Sequence, residues 1–202
     1  MKNIIKINST IEPFNKILNI EGDKSLSIRW ALLASQGSGK STSTNLLKSE
    51  DVMSTLQCLK KLGVKIKINK DKCEINGVGL NGYKYRKNII LNTGNSGTLG
   101  RLIIGLLIHT TREIKILGDK SLSKRDFSRI IKPLKKYGAR FKSNSGKLPI
   151  IIKGTKDPKP INYYEDIGSA QCKSAIMFAA LNTKGQTIIK AKKSRDHSEL
   201  LF

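Results

Sequence analysis

The chain repeats itself. That limits its fold more than any local propensity does, because each copy is one supersecondary unit that must stack on its neighbours to bury an apolar face. Leu59, Lys60, Lys61, Leu62, Gly63, Val64, Lys65, Ile66 and Lys67 are matched 75 positions on by Leu134, Lys135, Lys136, Tyr137, Gly138, Ala139, Arg140, Phe141 and Lys142. Asp51 opens the first stretch and Asp126 the second. In both, apolar residues at helical spacing lead to a glycine suited to a left-handed helix cap, and then to an alternating strand. Another helix is expected upstream of each, over 25–35 and 98–109, followed by short strands around 44–47 and 114–117.

A third copy begins on schedule, with a helix expected over 170–181, a strand over 187–190, and Ser194-Arg195-Asp196-His197 at the next helix start. It stops at Phe202, where the first two copies are only beginning their Asp-led helix. A longer natural polypeptide is therefore expected, since a unit without its second helix and closing strands leaves apolar faces uncovered.

The N-terminal ends of the three upstream helices carry the chemistry. They read Gly22-Asp23-Lys24-Ser25-Leu26-Ser27-Ile28-Arg29, Gly94-Asn95-Ser96-Gly97-Thr98 and Gly168-Ser169-Ala170-Gln171-Cys172-Lys173. Free backbone N–H groups, a permissive glycine and hydroxyl or amide side chains together make an anion site. The same residues also serve as ordinary N-caps, so one such end means little. Lys24 and Arg29 at the first, Arg101 at the second and Lys173 at the third add formal positive charge. Units related by rotation bring three such ends together.

Lys plus Arg number 38 against 15 Asp plus Glu, a net charge of +23 that draws anions from nucleic acid to small phosphates without choosing among them. The excess of Lys, with Ile and Asn, is also what codon bias alone produces. Aromatic residues are 5% and do not interleave with the basic ones, which argues against a nucleic-acid-binding module, although that class stays open on charge. Cys58, Cys73 and Cys172 are odd in number and form no Cys-x-x-Cys pair, so neither a zinc site nor a disulfide framework is expected, and a cytoplasmic location is. The longest apolar run, Leu102 to Ile108, is far shorter than the roughly 20 residues that span a bilayer, so no membrane partner is expected. Ala34-Ser35-Gln36-Gly37-Ser38-Gly39-Lys40-Ser41 matches a loosened phosphate-loop pattern, but it lacks the required strand before and helix after, and the equivalent turns of the other copies lack it altogether.

At these residues the sequence resembles the enolpyruvyl transferase family, in the branch whose acceptor is shikimate 3-phosphate. Six segments carry the likeness in family order: Gly22 to Arg29; Asn45-Leu46-Leu47 through Asp51-Val52; Gly94 to Arg101; Gly118-Asp119 with Ser121-Leu122 and Arg125; Ser169-Ala170-Gln171; and Ser194 to His197. The resemblance implies an α/β (α+β) fold of repeated βαβαββ units, an inside-out α/β barrel domain truncated in its third unit. Residues 1–20 would be a strand segment of the other, mostly missing domain, and residues 21–202 the three-repeat substrate-binding domain. The implied reaction transfers the enolpyruvyl group of phosphoenolpyruvate to the 5-hydroxyl of shikimate 3-phosphate, through a tetrahedral adduct and with loss of phosphate. The family's other half carries the carboxylates for proton transfer.

By the same resemblance, Lys24, Ser25, Arg29, Ser169, Ala170, Gln171 and Ser194 would hold shikimate 3-phosphate. Lys24, Asn95, Gly97, Arg125 and Gln171 would hold phosphoenolpyruvate, and Gly97 implies glyphosate sensitivity of the full-length enzyme. No catalytic residue is nominated in this chain: Asp51, Asp126 and Asp196 each head a helix, where capping accounts for them. His109 is expected to be structural and His197 only a substrate-side contact. No cofactor or metal is implied, and the full-length protein is expected to be a monomer, with no specific nucleic-acid partner. Glu21, Ile28 and Asp126 depart from the family's Pro, Asn and Pro, and Glu21 is expected to face solvent. The sister enzyme acting on UDP-N-acetylglucosamine shares the fold, but has Lys-Asn where this chain has Lys24-Ser25, and a loop cysteine where none lies near Arg125.

Overall fold

The computed structural model describes residues 6, 8–10, 12, 13, 15–18, 20–70 and 72–202. The second repeat shows the unit whole. Strand β4 (Ile89–Asn92) leads into helix α3 (Gly97–Leu106), then β5 (Ile114–Leu117), α4 (Ser128–Lys136) and the hairpin β6 (Arg140–Asn144) and β7 (Lys147–Lys153). Its sheet has the order β4-β5-β7-β6, with β4 and β5 parallel and the other pairs antiparallel. This is the βαβαββ unit.

The first repeat supplies α1 (Lys24–Ala34), β1 (Lys40–Thr44), α2 (Glu50–Lys61), β2 (Lys65–Ile68) and β3 (Lys72–Asn76). Its sheet order, β1-β3-β2, reproduces β5-β7-β6. The third supplies β8 (Asn162–Glu165), α5 (Ala170–Leu181) and β9 (Ile188–Ala191), with β8 and β9 parallel as β4 and β5 are. The described residues before 21 are all exposed and form no helix or strand.

Helices α1, α3 and α5 lie inside and the three sheets outside. Every residue of α3 is buried, as its near-continuous Leu, Ile and Gly composition demands of a helix without a solvent face. Gly105 lets α3 and α5 cross closely: a Cβ there would stand 2.2 Å from the Ala175 carbonyl oxygen. The outer helix α2 is instead amphipathic, burying Val52, Thr55, Leu56 and Leu59, with Glu50 and Asp51 in its first turn and Lys60 and Lys61 in its last, each matched to the helix dipole.

Gly63 and Gly138 take the left-handed conformation expected of them, with φ of +91° and +102°, and end α2 and α4 alike. The repeat-derived elements differ from the structure in three places. The strand expected at 44–47 lies at Lys40–Thr44, because Asn45 has a φ of +55° and turns the chain out of the sheet. The helix expected to open at Asp126 starts at Ser128. Asp126 stands before it, its Oδ1 accepting from the Ser128 N–H at 2.7 Å. The second inward helix ends at Leu106 rather than 109, where Leu107 N–H bends back to the carbonyls of Ile103 and Ile104. The phosphate-loop-like stretch begins at a helix end and runs into β1, so Lys40 and Ser41 sit in a strand.

Candidate functional site

Each inward helix starts on a side-chain cap. Asp23 Oδ1 accepts from Leu26 N–H at 2.8 Å, Ser96 Oγ from Leu99 N–H at 3.2 Å and Ser169 Oγ from Cys172 N–H at 3.3 Å. The starts of α3 and α5 meet through Gln171. Its Nε2 donates to Thr98 Oγ1 at 3.2 Å, and its Oε1 accepts from Arg101 Nη1 at 3.0 Å. The start of α1 joins them through Arg29, whose Nη2 donates to Ser174 Oγ on α5 at 3.2 Å and whose Nε donates to Ser198 Oγ at 2.9 Å. Thus Arg29, Gly97, Gln171 and their neighbours form one contiguous polar region.

At the second start, where the resemblance would put phosphoenolpyruvate, Arg125 Nη2 donates to Asn95 Oδ1 at 3.4 Å. A Cβ on Gly97 would lie 2.8 Å from Arg101 Nη1 and 3.1 Å from Arg125 Nη1, so two guanidiniums flank a position that admits no side chain without displacing them. Lys24 is tied to helix α2, which also borders the second start. Its Nζ is 3.0 Å from Asp51 Oδ2, and in the next turn of α2 Ser54 Oγ lies 3.2 Å from where a Cβ on Gly94 would sit. Ser25 contributes its carbonyl, 3.1 Å from Arg29 Nη1.

Cations read from the sequence prove unequal. Arg101 is a strut: besides Gln171, it donates to the Gly97 and Asp126 carbonyls and lies 4.8 Å over the Phe127 ring, although its Nε is buried without a partner. Burial, and then the nearby Arg129 and Arg125 guanidiniums, lower its pKa from the usual arginine value. Lys173 is half-spent in an ion pair with Glu199. Arg29 differs again. It is 3% exposed, its pKa is lowered by burial, and its hydrogen bonds run only to hydroxyls and a carbonyl.

At the third start the backbone N–H groups expected to be free are occupied. Glu165, 2% exposed, accepts from Gly168 and Ser169 N–H at 2.7 Å each and from Ile167 N–H at 3.3 Å. Ala170 opens α5 behind that loop. Ser194 lies close by, since a Cβ on Gly168 would be 3.1 Å from the Lys193 carbonyl oxygen. The Ser194 hydroxyl is buried without a hydrogen-bond partner, which suits a ligand contact. Glu21 is exposed. His109 packs on Tyr83 at the other end of α3, its pKa pushed down to about 4 by burial. The sequence reading did not single out Glu165, Ser174 or Ser198, and it gave Thr98 only as part of the second helix start. Ser174 is visible there as a hydroxyl one turn from Gln171.

Among the described residues no group of three or more His, Cys, Asp or Glu could hold a metal ion, and no helix is long and apolar enough to cross a membrane. Inward helices, outward sheets and polar helix starts gathered at one end define an α/β domain of the enolpyruvyl transferase type. A family model described as EPSP synthase (3-phosphoshikimate 1-carboxyvinyltransferase) matches residues 9–202, and the chain belongs to that family.

Among curated relatives, the 3-phosphoshikimate 1-carboxyvinyltransferase of Vesicomyosocius okutanii is 47% identical over 95% of this chain and 45% of its own length. That of Streptococcus suis is 40% identical over 96% of this chain and 46% of its own length. A solved EPSP synthase from Acinetobacter baumannii superimposes with a TM-score of 0.84 at 37% identity, covering 90% of this chain and 42% of that one. The chain thus spans somewhat under half the length of the relatives it matches.

Proposed function

We propose that this chain forms one wall of the active site of a 3-phosphoshikimate 1-carboxyvinyltransferase, and that residues 21–202 are its substrate-binding domain, with residues 1–20 belonging to the other domain. In this reading the 5-hydroxyl oxygen of shikimate 3-phosphate bonds to the enolpyruvyl carbon of phosphoenolpyruvate, and inorganic phosphate leaves from the tetrahedral adduct. The contribution of this chain is to hold two phosphorylated anions in register. Lys24, Ser25, Arg29, Ser169, Ala170, Gln171 and Ser194 face shikimate 3-phosphate. Asn95, Gly97 and Arg125, shared with Lys24 and Gln171, face phosphoenolpyruvate. Proton transfer falls to carboxylates outside this chain. The enzyme works as a cytoplasmic monomer without cofactor, membrane or specific nucleic-acid partner. The free, buried thiols of Cys58, Cys73 and Cys172 support that compartment.

Arg29 carries the reading. A buried guanidinium whose hydrogen bonds run only to neutral groups costs desolvation energy that an arriving dianion offsets. Lys24 is different, since its half-exposed pair with Asp51 is weak enough for a phosphate to displace. Shikimate 3-phosphate should raise the melting temperature of the chain at physiological salt, while random-sequence DNA should do so only at low salt, because phosphate-backbone binding falls steeply as salt rises. Equal and equally salt-sensitive protection by both would remove the enzyme reading. Taken alone the chain should turn over nothing measurable, and detectable transferase activity would overturn the placement of the proton-transfer groups.

A further inference from the structure

We infer that Ser198, together with Ser174, positions Arg29 for anion binding by holding the guanidinium through neutral hydroxyls. This deepens the proposed function and rests on Arg29 being a ligand-binding residue there.

The hydrogen bonds close on themselves. Ser174 Oγ is 2.6 Å from the Ala170 carbonyl oxygen, so its proton goes there. At the 2.6 Å contact between the two hydroxyls, Ser198 is then the donor and Ser174 the acceptor. Ser198 Oγ accepts from Arg29 Nε at 2.9 Å and Ser174 Oγ from Nη2 at 3.2 Å, while Nη1 donates to the Ser25 carbonyl at 3.1 Å. Three of the five guanidinium N–H groups are thereby fixed, and Nη1 and Nη2 each keep one for a ligand. Two parallel N–H donors on one rigid plane match phosphate or carboxylate oxygens.

The chemical type of the acceptor matters. A carboxylate would orient the guanidinium equally well but would cancel its charge. The carboxylates that act on Arg29 through space, Asp23 and Glu199, are engaged elsewhere, Asp23 capping α1 and Glu199 pairing with Lys173, and the nearby Arg195 adds a further positive charge. Hydroxyls orient without neutralising. Ser198 also belongs to a short helical turn in which Leu200 N–H returns to the Asp196 carbonyl, so the last repeat reaches back 169 positions to aim a residue of the first.

The test uses this chain with shikimate 3-phosphate, followed by melting temperature and titration calorimetry, and the Arg29 Nε–H resonance in an ¹⁵N-labelled sample without ligand. Ser198→Ala should weaken binding by about ten- to a hundredfold, the range for a hydrogen bond to a charged group, and should move or broaden the Nε–H resonance. Ser198→Thr should restore both, and Ser198→Asp should reduce binding further than Ser198→Ala while keeping the chain folded. A Ser198→Ala chain with unchanged affinity and an unchanged Nε–H signal overturns the inference, as does Ser198→Asp binding as well as wild type. If Arg29→Ala abolishes binding while the Ser198 variants do not alter it, the positioning role falls and the site stands. If Arg29→Ala binds normally, or wild type shows no ligand effect at millimolar concentration, the site reading falls, and the positioning role with it.

Discussion

Arg29 and Arg101 occupy adjacent inward helices within two turns of their starts, and both are almost fully buried, at 3% and 6% exposure. Their surroundings differ in kind. Arg101 lies on the Phe127 ring and is tied to Gln171 and two backbone carbonyls, contacts that join α3 to α5 and to the chain before α4. Arg29 touches no aromatic face at cation–π distance among the described residues and is held by two serines and its own helix. Each keeps two N–H groups without a protein partner: one on each Nη in Arg29, and Nε with one on Nη2 in Arg101. Neither burial nor acceptor charge separates them, since both donate only to neutral oxygens; what separates them is the Phe127 face under Arg101 and the pair of serine hydroxyls on Arg29.

The sharpest way to break this contrast is Arg29→Ala. It should lower affinity for shikimate 3-phosphate by about a hundredfold or more, the scale of lost bidentate charge-assisted bonds, with urea unfolding unchanged or slightly strengthened. A large loss of stability with affinity preserved would exchange the roles of the two residues. Arg101→Met should do the opposite, costing about 2–3 kcal/mol in urea unfolding because Gln171 and the carbonyls lose a charged donor. An unaffected unfolding midpoint would show that Arg101 is no strut.

Gln171→Leu should come next, at about 1–2 kcal/mol, since it unties Arg101 and Thr98 together; combined with Arg101→Met it should be less than additive, and strict additivity in the double-mutant cycle would deny the bridge. A further effect, dependent on pH, lies at the far end of α3. His109 stays neutral when folded down to about pH 4, whereas the unfolded chain takes up a proton near pH 6.5. Stability present above pH 6.5 is therefore lost as pH falls toward 4, and His109→Gln should flatten that part of the profile. An identical pH slope in the variant would mean the acid sensitivity resides elsewhere.

Much of this was readable from sequence, for reasons that particular elements show. Helix α5 occupies the stretch Ala170–Leu181 marked out by Ser169 and the apolar run, because cap and core pattern agree there. The repeat placed Gly63 and Gly138 at equivalent caps. The strand β1 was misplaced because Leu46 and Leu47 looked more strand-like than Ser41 to Thr44, and nothing local announces the left-handed Asn45. The formal charges of Arg101 and Lys173 were legible, but not their engagement by Gln171 and Glu199. Least legible were Ser198 and Glu165. Ser198 matters through a residue of another repeat. Glu165 matters through backbone groups that the loop after β8 folds onto its carboxylate. Spacing along one chain reports periodicity within a repeat and says little about which side chains meet across repeats.

The close crossing at Gly105 and Ala175 makes a fulcrum of the helix pair. The Thr98 and Gln171 contact lies about 10 Å up α3 from that point, at 1.5 Å per residue, on rods too stiff to absorb a tilt. An added methyl at Gly105 would meet backbone rather than a yielding side chain, so the helices would have to splay, and the displacement would be felt at their polar tips. A change in the driest part of the protein would then be measured as weaker binding of the proposed phosphorylated ligand.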